Sequence, residues 1–324
     1  MKVRLLVAAL EVAFTAGCGG TPATPAAVTV PPVDVRPAGV QEVTTVPPQA
    51  AATCGDPEAS LRPGPQPAPG AMPAGSTMAA IADRGRLIVG VDQDSYPFGS
   101  RNPTTGQLEG FDIDVAREIA RAIFGDPDRI ELKVITPAQR QSALEFGQVD
   151  LVVRTYSITC DRKRSVDFSS TYFSASQRIL VRKDSGIDSA AALYPGKKVC
   201  SVFGTTSVSR VAALEPRPTV IGVNSWTDCL LMLQQAQVDA ISTDDAVLAG
   251  LAVQDPNVEI VGASMGSEPY GVGVKKENSD LVRFVNGVLA RMRADGTWEV
   301  LYNEHLLSLG PSPGPPQARY LDGP

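Results

Sequence analysis

Thr155, Ser157 and Thr159 alternate just beyond the apolar run 149–153, and Arg162, Lys163 and Arg164 follow directly. Hydroxyls and backbone N–H groups at the end of a strand donate to anions, and a planar guanidinium close behind them grips a carboxylate through two parallel bonds. Arg162 is the basic residue nearest the hydroxyls, so residues 154–173, RTYSITCDRKRSVDFSSTYF, form a candidate carboxylate site. The structural alternative is a solvated basic turn. A second anion-friendly stretch, Gly204-Thr205-Thr206-Ser207, precedes an expected helix over 208–214, where free N–H groups and hydroxyls gather. It lacks the lysine and the further glycines of a phosphate loop. Opposite in charge are Asp244 and Asp245, which follow an expected strand ending at Thr243.

The elements that must hold these groups are legible from periodicity. Leu87 to Val91 is an apolar run of strand length, as in a strand buried on both faces, and residues 149–153 read as a second buried strand. Residues 111–123 carry apolar positions at helical spacing up to Gly125. Strands are expected at 130–135, 176–182, 197–203 and 272–274, and helices at 78–84, 138–146, 281–294 and 297–307. Gln148-Val149-Asp150 and Gln237-Val238-Asp239 each sit between a helix end and a strand, one followed by Arg162 and the other by Asp244 and Asp245. Two lobes of similar βαβ build would each bring a strand's carboxyl end to a shared crevice, where open α/β sheets bind ligands.

Composition narrows the function. The chain has 324 residues, 43% hydrophobic and 20% charged, with a net charge of −6 and a single histidine, His305. No basic stripe is left over for nucleic acid. One histidine argues against a histidine-rich metal site and against histidine acid–base chemistry, and neither metal nor cofactor is expected. Lys2 and Arg4, the apolar run from Leu5 and the small residues Thr15-Ala16-Gly17 before Cys18 read as an export signal over 1–18. The end of that segment resembles the lipobox of bacterial lipoproteins, which implies a lipid on Cys18 and an extracytoplasmic protein anchored to the cell membrane. Glu11 and Thr15 depart from the usual lipobox pattern. Cys54, Cys160, Cys200 and Cys229 then remain, an even number without a Cys-x-x-Cys spacing, and two disulfides are expected. Cys200 in a strand and Cys229 at the start of the next amphipathic helix are neighbours in a βαβ unit. Cys54 with Cys160 would tie the N-terminal segment to the first lobe. Residues 19–77, rich in Pro, Ala, Thr and Val, read as a tether and 309–324 as a flexible tail.

Six collinear stretches, GFDIDVAREIA (110–120), QVDLVVRTYSITCDRKRSVDFSSTYF (148–173), KVCSVFGTTS (198–207), QVDAISTDD (237–245), PYGVGV (269–274) and RADGTWEVLYNEHL (293–306), resemble the polar amino-acid family of bacterial extracytoplasmic solute-binding proteins. The likeness is greatest to its glutamine-binding lipoprotein branch from mycobacteria and their relatives. The resemblance implies a type II α/β clamshell of two lobes, residues 78–177 with 271–308 and residues 178–270, joined by two crossing strands. It implies a monomer without enzymatic activity that closes on one L-amino acid and serves an ABC permease or a membrane sensor; a dehydratase-like enzyme on the same scaffold is the alternative. Arg162 is implied as the carboxylate clamp with Ser157 and Thr206, Thr155 lies near the α-amino group with Gly204 in the opposing turn, and Asp244 is the ammonium partner. Tyr96 or Phe98 would cover the ligand. Val202 stands where some glutamine binders have lysine. An acidic ligand side chain needs a cation, because a carboxylate unpaired out of water is costly. Arg154 or Arg101 is expected to supply it, so that acidic amino acids bind at least as well as glutamine.

Overall fold

The computed structural model describes residues 35–45 and 54–321. The export segment, Cys18 and the first part of the expected tether lie outside the described residues. A short strand β1 (Gln41–Glu42) comes first, and lobe 1 then begins with α1 (Thr77–Arg84), β2 (Leu87–Val91), β3 (Asp94–Ser95), β4 (Gly99–Arg101), β5 (Leu108–Glu109) and α2 (Phe111–Phe124). It continues through β6 (Ile130–Val134), α3 (Arg140–Glu145), β7 (Leu151–Val152) and β8 (Val166–Phe168). The long strand β9 (Phe173–Arg182) crosses to lobe 2, built from β10 (Lys198–Val202), α4 (Thr206–Ala212), β11 (Thr219–Val223), α5 (Trp226–Gln234), β12 (Ala240–Asp244), α6 (Asp245–Gln254) and β13 (Val258–Val261). β14 (Ser267–Tyr270) leads back to β15 (Gly273–Lys275), α7 (Ser279–Ala294) and α8 (Thr297–His305).

Lobe 1 holds a sheet in the order β6-β2-β7-β15-β8, and lobe 2 one in the order β1-β11-β10-β12-β9-β13. β2 runs parallel to β6 and β7, and β10 runs parallel to β11 and β12. Each lobe is thus an open α/β sheet with its strand ends turned to one rim. β14 pairs antiparallel with the first half of β9, Tyr270 opposite Phe173 and Ser267 opposite Ser176, so the two crossing strands lie side by side as the hinge. The clamshell expected from the sequence is the observed fold.

The internal repeat has a structural cause. Gly147 and Ala236 both take positive φ, 62° and 56°, at the ends of α3 and α5. The next residue in each case, Gln148 or Gln237, donates its N–H back to Ala143 O or Met232 O. Asp150 then accepts the Ile88 N–H at 2.8 Å, and Asp239 accepts the Lys198 N–H at 2.8 Å. Each aspartate caps the start of the neighbouring parallel strand and also meets a cation, Arg84 in lobe 1 and Lys197 in lobe 2.

The expected tether is held at more points than Cys54, and the expected flexible tail packs on lobe 1. β1 pairs antiparallel with the edge strand β11, and Val43 adds an N–H bond to Val220 O at 2.8 Å. Farther on, Ala59 and Ser60 are buried against lobe 1, where the Ser60 hydroxyl donates to Phe168 O and Asn286 donates to Leu61 O. Ser60 also bridges to Tyr320, Arg293 donates to Pro316 O, and Ser312 donates to Glu299. Residues 54–76 and 310–321 are therefore lobe 1 surface. Their polar backbone finds partners that a composition-based reading does not foresee. Both expected disulfides are present, Cys54–Cys160 and Cys200–Cys229, each with Cα atoms 5.5 Å apart.

Candidate functional site

Five strand ends supply the crevice. After β6 the chain turns through Thr136 and Pro137 into Arg140. After β7 come Arg154, Thr155 and Ser157. β10 is followed by Thr206 and β11 by Trp226, β12 ends at Asp244, and all of these residues except Thr136 line one cavity between the lobes. The lobes approach so closely that it measures about 10 Å³, the room of roughly one water.

Two guanidiniums meet one carbonyl across this gap. Arg140 of lobe 1 donates to Gly204 O of lobe 2 at 3.0 Å, and Arg162 donates to the same oxygen at 3.1 Å. Arg162 also donates to Ser157 O at 2.6 Å, and both guanidiniums lie against the Tyr156 ring, 4.3 Å and 4.8 Å from its centroid. The remaining Arg140 bonds go to the carbonyls of Pro137, Arg154 and Thr155. Among the described residues neither guanidinium is ion-paired with a carboxylate. Burial, with Arg162 beside it, pulls Arg140 down to about 9.

Facing them, Asp244 is the N-cap residue of α6, but its carboxylate does not cap the helix. It accepts the Tyr270 hydroxyl at 2.5 Å instead. Burial and the nearby Glu268 carboxylate push Asp244 up to about 8. Glu268, itself buried, accepts the Thr206 hydroxyl at 2.9 Å and pairs with Arg210 at 2.5 Å. Thr155 sits at φ 38° because its N–H donates to Asp112 at 2.8 Å, and Asp112 is also held by the Tyr172 hydroxyl.

Arg162, Ser157, Thr155, Thr206 and Asp244 thus converge on one cavity, with Gly204 O at its lobe 2 edge. Three expectations change. Arg154 lines the cavity, but its charge is balanced by buried Asp92 at 2.9 Å and its Nε donates to Ile135 O. Arg101 lies in a separate cavity of about 430 Å³ at the mouth, tied to Gln93 and Gly106 O. The Tyr96 ring is exposed at that same mouth, while Phe98 is core, packed edge-on against Phe111 and Phe173. Trp226 is the aromatic that lines the cavity between the lobes. Arg140 and Trp226 escaped the sequence reading, although each follows the carboxyl end of a strand, the position that open α/β sheets devote to ligands.

Residues 87–308 match the family described as bacterial extracellular solute-binding proteins, family 3. The chain belongs to this family. The ABC transporter glutamine-binding protein of Bacillus subtilis is 39% identical over 228 residues, 70% of this chain and 84% of that protein. The glutamate-binding protein of Corynebacterium glutamicum is 32% identical over 243 residues, 72% of this chain and 82% of that protein. Among solved structures, a solute receptor for L-cysteine of Neisseria gonorrhoeae superposes with a TM-score of 0.69 at 29% identity, covering 72% of this chain and 94% of the receptor. As a family 3 solute-binding protein, the chain adds to the matched region the ordered segments 54–76 and 310–321.

Proposed function

We propose that the crevice captures a polar L-amino acid, with the acids aspartate and glutamate bound at least as well as their amides. Arg162, with Ser157 and Thr206, takes the α-carboxylate, and Asp244, with Thr155 nearby, takes the ammonium. A zwitterion needs a cation and an anion on opposite walls, so that both contacts form only when the lobes close. The observation that carries the acidic preference is the convergence of Arg140 and Arg162 on Gly204 O without an ion-paired carboxylate. One guanidinium serves the α-carboxylate, and Arg140 replaces Arg154 and Arg101 as the cation for the side chain. Relatives named for glutamine and for glutamate support the ligand class, and the name of the Bacillus subtilis relative supports delivery to an ABC permease. A lipid on Cys18 is the other part of the proposal, and a membrane sensor is the alternative to the permease; both rest on the sequence.

Calorimetric titration of L-aspartate, L-glutamate, L-asparagine and L-glutamine tests this reading. Truncating one partner of a buried charge pair costs about 3 kcal/mol, so Arg162→Ala should weaken every ligand on the order of 100-fold. Arg140→Gln should weaken the acids at least tenfold more than the amides. Tighter binding of the amides by wild type, with no selective loss in Arg140→Gln, would overturn the acidic preference.

A further inference from the structure

Helix α6 contains one glycine, Gly250, in its middle turns. Glycine there is unfavourable, because it gives up more backbone freedom than alanine and buries no side chain. Its φ is not in the left-handed region, so no special backbone conformation calls for it. The reason lies across the crevice: a Cβ at Gly250 would fall 1.6 Å from the Tyr96 carbonyl oxygen and 2.7 Å from its carbonyl carbon. Tyr96 belongs to lobe 1 and α6 to lobe 2. Bare backbone meets backbone here, and no side chain could be interposed with the lobes at this separation.

Neither partner can give way. The Tyr96 loop is fixed to lobe 1 on both sides, since Phe98 N donates to Ser95 O at 2.7 Å, Phe111 N donates to Pro97 O at 3.1 Å, and the Phe98 ring is fully buried. Behind it, the Ser95 hydroxyl donates to Asp92, the same carboxylate that balances Arg154. α6 is held from below by Leu248 and Leu251 in the lobe 2 core. Along the helix, Asp244, Val247 and Gly250 are three residues apart and share one face. The first two line the ligand cavity and the third meets Tyr96.

We propose that Gly250 is a positioning residue that sets how far the clamshell can close: contact between its bare Cα and the Tyr96 carbonyl marks the closest approach of α6 to lobe 1, and with it the reach of Asp244 and Val247 into the cavity. This rests on the reading of the crevice as an amino-acid site. A side chain at 250 wedges the lobes apart while leaving each lobe intact. Gly204 makes a comparable approach to Ala138, but its φ of +77° already demands glycine, so substitution there would not isolate closure.

The test is a graded series, Gly250→Ala, Gly250→Ser and Gly250→Leu, in the full chain. Spin labels on exposed Tyr194 of lobe 2 and Phe146 of lobe 1, each replaced by cysteine, report the distance between lobes with saturating L-glutamate or L-glutamine. The interlobe distance should grow with side-chain size, and affinity should fall at least tenfold for Gly250→Ala, mainly through faster dissociation. The ligand-free melting temperature of Gly250→Ala should match or exceed wild type, because alanine is the better helix former. A wild-type distance and affinity in Gly250→Leu would overturn the proposal, as would an affinity loss matched by a drop in ligand-free melting temperature. Failure of wild type to bind any of the amino acids would instead overturn the function, and the ligand-free distances would still test the wedge.

Discussion

Asp244 is a buried carboxyl group opposite buried Arg140 and half-buried Arg162, and in the proposed site its ionisation couples ligand binding to pH. Its folded pKa is raised from 3.8 to about 8 by burial and by Glu268. Between those values the folded protein holds a proton that the unfolded chain has lost, so this group's contribution to stability falls as pH rises through the window. An incoming ammonium reverses the local balance, because a cation at the carboxylate favours the charged form. Amino-acid binding at pH 6 to 7 should therefore expel a proton, and affinity should increase as pH rises toward 8. Calorimetry in buffers of different ionisation enthalpy reads the proton count directly. Asp244→Asn should abolish that proton release together with most of the affinity, and a count of zero in wild type at pH 6.5 would show that Asp244 is already ionised. Asp112, pushed up to about 7 by burial, titrates in the same range, but it sits behind Thr155 and touches its N–H.

At the level of elements, each lobe carries a cross-link and a tryptophan of its own. Cys200 on β10 is bridged to Cys229 on α5, both fully buried, and Trp226 opens the same helix. Trp298 is in α8 of lobe 1, where its indole N–H donates to Tyr172 O at 2.7 Å. The bridge closes a loop with a sequence separation of 29. In the chain-entropy account such a loop contributes roughly 3 to 4 kcal/mol. Replacing both cysteines by alanine should lower the denaturant midpoint seen by Trp226 well before the one seen by Trp298, read in Trp298→Phe and Trp226→Phe backgrounds. Equal shifts at both tryptophans would mean that the lobes unfold as one unit. The pairing of β1 with β11 has a separate benefit: it covers an edge strand that would otherwise offer unpaired N–H and C=O groups to another chain.

For the whole molecule, the pairing of β1 with lobe 2 bears on the proposed lipid anchor. With Gln41 and Glu42 on lobe 2 and residues 54–76 on lobe 1, the stretch from Cys18 to the first described residue, Val35, spans 17 residues, a small part of the expected tether. At about 3.3 to 3.6 Å per residue it can reach at most roughly 60 Å. If Cys18 carries the lipid, the clamshell works close to the membrane surface, within reach of a permease. Cys18→Ala should release the protein into the medium or leave the precursor uncleaved, as followed by fractionation and mass. Unchanged membrane retention and mobility would rule out that anchor.

Much of this architecture is local and therefore written in the chain. The run LIVGV, the helix over 111–124 and the twin Gln-Val-Asp units declare themselves because strand and helix periods act over a few residues. The placement of Arg162 and Asp244 on opposite walls follows from the same rule, since Asp244 ends β12 and Arg162 lies in the loop that leaves the carboxyl end of β7. What the chain could not show was which charges are spoken for. Arg154 is neutralised by Asp92, 62 positions earlier, while Arg140 turns inward to a carbonyl of the other lobe. Phe98 becomes core and Tyr96 rim although only Pro97 separates them, because Phe98 meets rings from α2, β9 and β14. Ordering of residues 54–76 and the bare face of Gly250 depend likewise on partners far away in sequence. Periodicity is a property of neighbours along the chain; charge balance and steric fit are properties of neighbours in space, and those exist only once both lobes are built.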